Sequence, residues 1–99
     1  MKVRYTLRAR DDLETIFAYL DERNPAAAQD VKDLIERRIR RLGMFPLMAP
    51  DTDESGILEL SIIQYPYKVY YELKGDEEVW IVHIRNTSQV EWRKKRGKN

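Results

Sequence analysis

Two amphipathic helical segments followed by three closely spaced strands predict an α+β domain of order β-α-α-β-β-β. In it, a twisted, mainly antiparallel sheet carries the helix pair on one face. Three observations lead there. Apolar residues recur at helical spacing only before Gly43, and sustained alternation appears only after Gly56, apart from a short run at the start. Helices that precede the strands as a block exclude a βαβαβ parallel sheet and favour segregated layers.

The opening run alternates Val3, Tyr5 and Leu7 with Lys2, Arg4 and Thr6, the period of a strand with one buried face, placed at an edge of the sheet. Leu13, Ile16, Phe17 and Leu20 then follow the i, i+3, i+4, i+7 pattern of one helix stripe, with a start near Ala9 or Arg10. Asp11, Asp12 and Glu14 suit the positive N-terminal end of that helix. At Asn24-Pro25 an amide side chain can cap a second helix, and proline fits its first turn, where the missing N–H has no partner to lose.

The second helix is expected from Pro25 to Leu42, burying Ala27, Val31, Leu34, Ile35, Ile39 and Leu42 and ending at Gly43. Arg37, Arg38, Arg40 and Arg41 crowd its last turns, where cations complement the helix dipole; a binding role and a purely stabilising one both account for them. Pro46 and Pro50 keep the following stretch irregular, and its acidic segment Asp51-Thr52-Asp53-Glu54 is the expected site of mobility.

Leu58, Leu60 and Ile62 form the next strand, and Tyr67, Val69, Tyr71 and Leu73 the inward face of the one after. A turn at Lys74-Gly75-Asp76-Glu77 leads to a last strand, Val79 to Arg85, that alternates Trp80, Val82 and Ile84 with Val79, Ile81, His83 and Arg85. Being apolar on both phases, it reads as central and covered on both sides.

The 99 residues have room for one core. No cysteine is present, which removes disulfides, thiolate metal sites and cysteine nucleophiles and suits a reducing compartment. No apolar stretch approaches the ~18 residues of a membrane span, and no signal peptide is expected. The net charge is only +1, yet five basic residues lie beyond Asn86 against the single acid Glu91. The expected organisation is therefore a domain over 1–89 and a basic tail over 90–99. Such a tail fits a polyanion or an acidic protein segment, and a solvated terminus accounts for it as simply.

Phosphate loops, zinc-spaced ligands and serine-hydrolase elbows are missing from the sequence, so neither metal nor cofactor is expected. His83 alone ordinarily titrates near neutrality. With Arg85 two residues on and Lys68 across the sheet, it would suffice for metal-free RNA cleavage, a cation stabilising the anionic transition state. A satisfied strand histidine is the simpler reading. Tyr65, Tyr67, Tyr70 and Tyr71 allow base stacking, although Tyr67 and Tyr71 have the core phase.

Taken in order, Ala9-Arg10-Asp11-Asp12-Leu13-Glu14-Thr15-Ile16, Asn24-Pro25-Ala26-Ala27-Ala28, Leu42-Gly43-Met44-Phe45-Pro46, Gly56-Ile57-Leu58-Glu59-Leu60, Pro66-Tyr67-Lys68-Val69-Tyr70-Tyr71 and Val82-His83-Ile84-Arg85 resemble the RelE/ParE superfamily of type II toxins, closest to its ParE branch, the plasmid-stabilisation type. The resemblance implies a bacterial cytoplasmic toxin neutralised by a cognate antitoxin, with operator DNA met only through the antitoxin. ParE-like relatives inhibit DNA gyrase by protein binding, which would make Trp92, Arg93, Lys94, Lys95 and Arg96 target-binding residues. RelE-like relatives cut mRNA on the ribosome, which would make His83, Arg85 and Lys68 catalytic. A third alternative is an inactive toxin-fold partner of an antitoxin. The chain has Leu58 and Lys68 where many relatives have arginine, and Asn86-Thr87-Ser88-Gln89 where a His or Arg is frequent. These losses of cationic character count against the nuclease.

Overall fold

The computed structural model describes residues 1–46, 56–62 and 64–87. The expected acidic mobile segment and the tail residues Trp92, Arg93, Lys94, Lys95 and Arg96 lie outside the described residues.

The chain runs through β1 (Lys2–Tyr5), α1 (Leu7–Arg23), α2 (Pro25–Leu42), β2 (Leu58–Ile62), β3 (Tyr67–Lys74) and β4 (Glu78–Asn86). The sheet order is β1-β4-β3-β2, with β1 parallel to β4 at one edge and the other pairs antiparallel. Both the edge placement of β1 and the central position of β4 agree with the sequence.

Strand β1 stops earlier than its alternation implies. Thr6 has extended backbone angles and caps α1, its Oγ1 accepting from the Ala9 N–H. Leu7 is thus the first helical residue, not a strand residue, and is 81% exposed. Thr6 satisfied both patterns at once, which hid the boundary. Because α1 begins at Leu7 rather than near Ala9 or Arg10, Asp11 and Asp12 fall beyond its first turn.

The α2 boundaries match the sequence reading, and the signal at its start is local. Asn24 Oδ1 accepts from the Ala27 N–H, and Pro25 opens the first turn. Gly43 ends the helix in an ordinary helical conformation, so left-handed freedom is not the reason for glycine here. A Cβ there would lie 2.8 Å from the Met1 carbonyl oxygen, and this close approach of β1's entry segment is the reason.

One core joins α2 to the sheet: Val31, Leu34, Ile35, Ile39 and Leu42 pack with Leu58, Leu60, Ile62, Tyr67, Val69, Tyr71, Val79, Ile81 and Ile84. Each such large apolar side chain contributes about 1.5–3 kcal/mol by leaving water. Ala28, rather than Ala27, is the buried alanine at the start of α2. Helix α1 lies more superficially: Ala9 is fully buried, while Leu13, Ile16 and Leu20 only flank the core. Phe17 stays half-buried beside α2, with the Lys32 ammonium 5.7 Å above its ring.

The last strand changes phase midway. Tyr70 pairs with His83 but Tyr71 with Ile81, so Val82 is an extra residue in a β-bulge. Val79, Ile81 and Ile84 therefore face the helices, while Trp80, His83 and Arg85 face away. Regular alternation placed Ile84 with Trp80 and placed His83 and Arg85 with Val79; the bulge overturns both.

Candidate functional site

The face turned away from the helices is built across three strands. Ladder partners Lys68 and Arg85, then Tyr70 and His83, stand side by side on β3 and β4, with Glu59 of β2 opposite Tyr70. The three residues proposed for RNA chemistry, Lys68, His83 and Arg85, are thus brought together on one surface.

Each is already engaged. Lys68 Nζ is 3.1 Å from Glu59 Oε2. The Arg85 guanidinium lies 5.0 Å from the centre of the Tyr70 ring, and its Nε is buried without a hydrogen bond. The Tyr70 ring in turn stacks on the imidazole of His83, with centroids 5.8 Å apart and planes 18° from parallel. Burial raises the Tyr70 hydroxyl above its ordinary pKa, and the neighbouring Glu59 carboxylate adds to that while Arg85 opposes it.

His83 is held by a residue of α1 that no local spacing pairs with it. Asp12 Oδ2 on α1 is 2.7 Å from His83 Nδ1 and also accepts the Ile84 N–H at 2.9 Å. With Asp12 ionised, Nδ1 is the donor, and the lone pair of the neutral ring sits on Nε2, which Arg8 Nη2 approaches at 3.5 Å. Local topology explains the contact. The parallel ladder of β1 ends at Tyr5 and Ile81, so the next stretch of β4 has an open edge. Thr6 takes up the first positions, its N–H donating to the Ile81 carbonyl and its hydroxyl to that of Val82; Asp12 takes the next. An aspartate one turn inside a helix looks like ordinary surface charge in sequence, and no local signal marks Asp12 or Arg8.

Towards the opposite end of this face, Glu78 accepts from Arg4 Nε at 2.7 Å and from the Trp80 indole at 3.0 Å. The Arg4 hydrogen bond, followed by that of Trp80, holds its carboxyl below the ordinary value. Lys74 sits 4.7 Å above the Trp80 ring and 3.6 Å from Glu72. Acids and bases therefore alternate over the surface, and among the described residues no group of three or more His, Asp or Glu is placed to hold a metal ion. Chemically, the face offers an oriented imidazole, a shielded guanidinium and a paired lysine, a surface better suited to shape-specific contact than to concentrating charge on a phosphate.

Residues 3–91 match the family model described as the ParE toxin of the type II toxin-antitoxin system, parDE. The chain belongs to the ParE toxin family. Among solved structures, this ParE-family chain is similar to a chain of the chromosomal ParDE TA (toxin-antitoxin) system from P. aeruginosa, with a TM-score of 0.77 and 20% identity over 87% of this chain and 95% of that one. At that identity the likeness concerns the fold, and it agrees with the expected α+β architecture. No curated protein sequence matches the chain. No helix of the ParE-family fold is long and apolar enough to cross a membrane among the described residues.

Proposed function

We propose that this ParE-family toxin acts in the bacterial cytoplasm by binding DNA gyrase and is neutralised by a cognate antitoxin. The observation that carries the reading is the family match over residues 3–91, which takes in the helix pair and nearly the whole sheet and ends just before Trp92 and the basic residues of the tail. The pairing of Lys68 with Glu59 supports binding over catalysis, because a lysine whose charge is already answered contributes less to an anionic transition state. In this reading residues 1–89 are the domain, and Trp92, Arg93, Lys94, Lys95 and Arg96 of the 90–99 tail make the target contact.

A gyrase supercoiling assay with the purified chain, repeated after adding antitoxin, tests it. Inhibition that antitoxin reverses and that is lost on removing residues 90–99 is the expected result; full inhibition by the truncated chain would discard the tail contact.

A ribosome-dependent ribonuclease is the second reading, favoured by one geometric feature: Asp12 orients His83 on the face that also carries Lys68 and Arg85. A ribosome-bound mRNA cleavage assay decides. Codon-phased cleavage that disappears in His83→Ala would establish it, and intact message would remove it.

A further inference from the structure

The end of α2 presents two large apolar side chains to solvent, Met44 at 74% exposure and Phe45 at 51%. Neither belongs to a loose end. The Met44 and Phe45 N–H groups both donate to the Arg41 carbonyl, at 3.0 and 2.8 Å, and the next carbonyl, of Pro46, accepts the hydroxyl of the buried Tyr71 at 2.7 Å. Gly43, one residue earlier, is pressed against the Met1 carbonyl. The chain thus fixes an apolar pair in water, where it loses the gain from burial.

Arginines surround the pair. Arg37 and Arg41 share one helix row at i, i+4 spacing, with Arg40 in the adjacent row of the last turns, and Met44 and Phe45 follow directly beyond the helix end at Leu42. The Arg41 guanidinium is 5.9 Å from the centre of the Phe45 ring. Among the described residues, no carboxylate forms an ion pair with Arg37, Arg40 or Arg41, and like charges at i, i+4 repel. Complementing the helix dipole accounts for cations here but not for the exposed Met44 and Phe45. An aromatic and a methionine set among arginines is the composition of an energetic centre in protein interfaces.

We propose that this patch, Met44 and Phe45 framed by Arg37, Arg40 and Arg41, docks an acidic amphipathic segment of the antitoxin. The inference rests on the antitoxin reading above and adds where that partner is gripped and by what chemistry. Apolar residues of the segment cover Met44 and Phe45, while its carboxylates meet the guanidiniums. A nucleic-acid backbone would use the arginines and leave the apolar centre wet, so a protein occupant fits the patch better.

The test is calorimetric titration of the purified toxin with its cognate antitoxin, at low and high salt, with a DNA duplex of about 20 base pairs as a second titrant. Met44→Ser/Phe45→Ser should weaken antitoxin binding at least tenfold and leave its salt dependence unchanged. Arg37→Ala/Arg41→Ala should weaken it at least tenfold at low salt and flatten the salt dependence, and Arg37→Lys/Arg41→Lys should recover most of the loss. Thermal melting of each variant separates lost contact from lost fold, and all four positions are exposed. Wild-type affinity in both the serine and the alanine pairs would overturn the docking surface alone. Absence of binding by the wild-type toxin would overturn the antitoxin reading and this proposal with it. Duplex binding that the alanine pair loses, with antitoxin affinity unchanged, would reassign the patch to nucleic acid.

Discussion

Asp12 and His83, 71 residues apart, share a 2.7 Å contact through Oδ2 and Nδ1, and the same carboxylate oxygen closes the open edge of β4 by taking the Ile84 N–H. One side chain thereby fastens α1 to the central strand and fixes the orientation of the only histidine.

Asp12→Ala leaves a part-buried N–H and an imidazole without their acceptor, so it should cost about 1–3 kcal/mol. In a domain of this size that lowers Tm by roughly 4–8 °C per kcal/mol. Hydrogen exchange at the Ile84 amide should accelerate in the variant. Wild-type protection there would show that the carboxylate does not hold the edge.

The bulge at Val82 predicts unequal costs for two residues that plain alternation treats alike. Ile84 is 2% exposed and faces the core, so Ile84→Ala should lose about 2–5 kcal/mol in chemical denaturation. Val82, partly exposed, should lose less than about 1 kcal/mol on the same change. Equal losses would contradict the phase change.

Gly43→Ala should destabilise, against the usual sign. At a helical backbone position this substitution ordinarily gains about 0.4–1 kcal/mol through the unfolded state. Here the new methyl would stand 2.8 Å from the Met1 carbonyl, and the resulting overpacking should cost about 1–3 kcal/mol net. A raised Tm would mean that β1's entry segment moves aside freely.

Glu78 supplies a titration that can be read optically. Its pKa is lowered, so the stabilisation it provides is present above the ordinary carboxylate value and is lost as pH falls through the lower folded value. Because Glu78 accepts the Trp80 indole N–H, Trp80 emission in a Trp92→Phe background should change with a midpoint below 4.5. Glu78→Gln should abolish that step; a step that persists would belong to another group.

His83→Ala should leave growth inhibition intact if the toxin acts through its surface on gyrase, and an expression-matched plating assay measures this. Loss of toxicity, with Tm held near that of the wild type, would favour the catalytic reading of Lys68, His83 and Arg85.

Much of this fold is local information, and the sequence by itself determined that part. Asn24-Pro25 opens α2 because its capping requirement is met within a few residues, whereas Gly43 at the other end answers a close approach of Met1 that the sequence does not encode locally. Leu58, Leu60, Ile62, Tyr67, Val69 and Tyr71 report their buried face through simple alternation. The family is legible for the same reason, as an ordered series of short motifs. The tertiary structure decided the rest. Whether Thr6 continues a strand or caps a helix depended on where the ladder with β4 ends, and both patterns fitted it locally. The faces of His83, Ile84 and Arg85 depended on a bulge, and regular alternation cannot place an extra residue in a strand that carries apolar residues on both phases. The partner of His83 depended on α1 crossing the uncovered edge of β4, and no spacing along the chain encodes a contact made only after the helix has packed against the sheet.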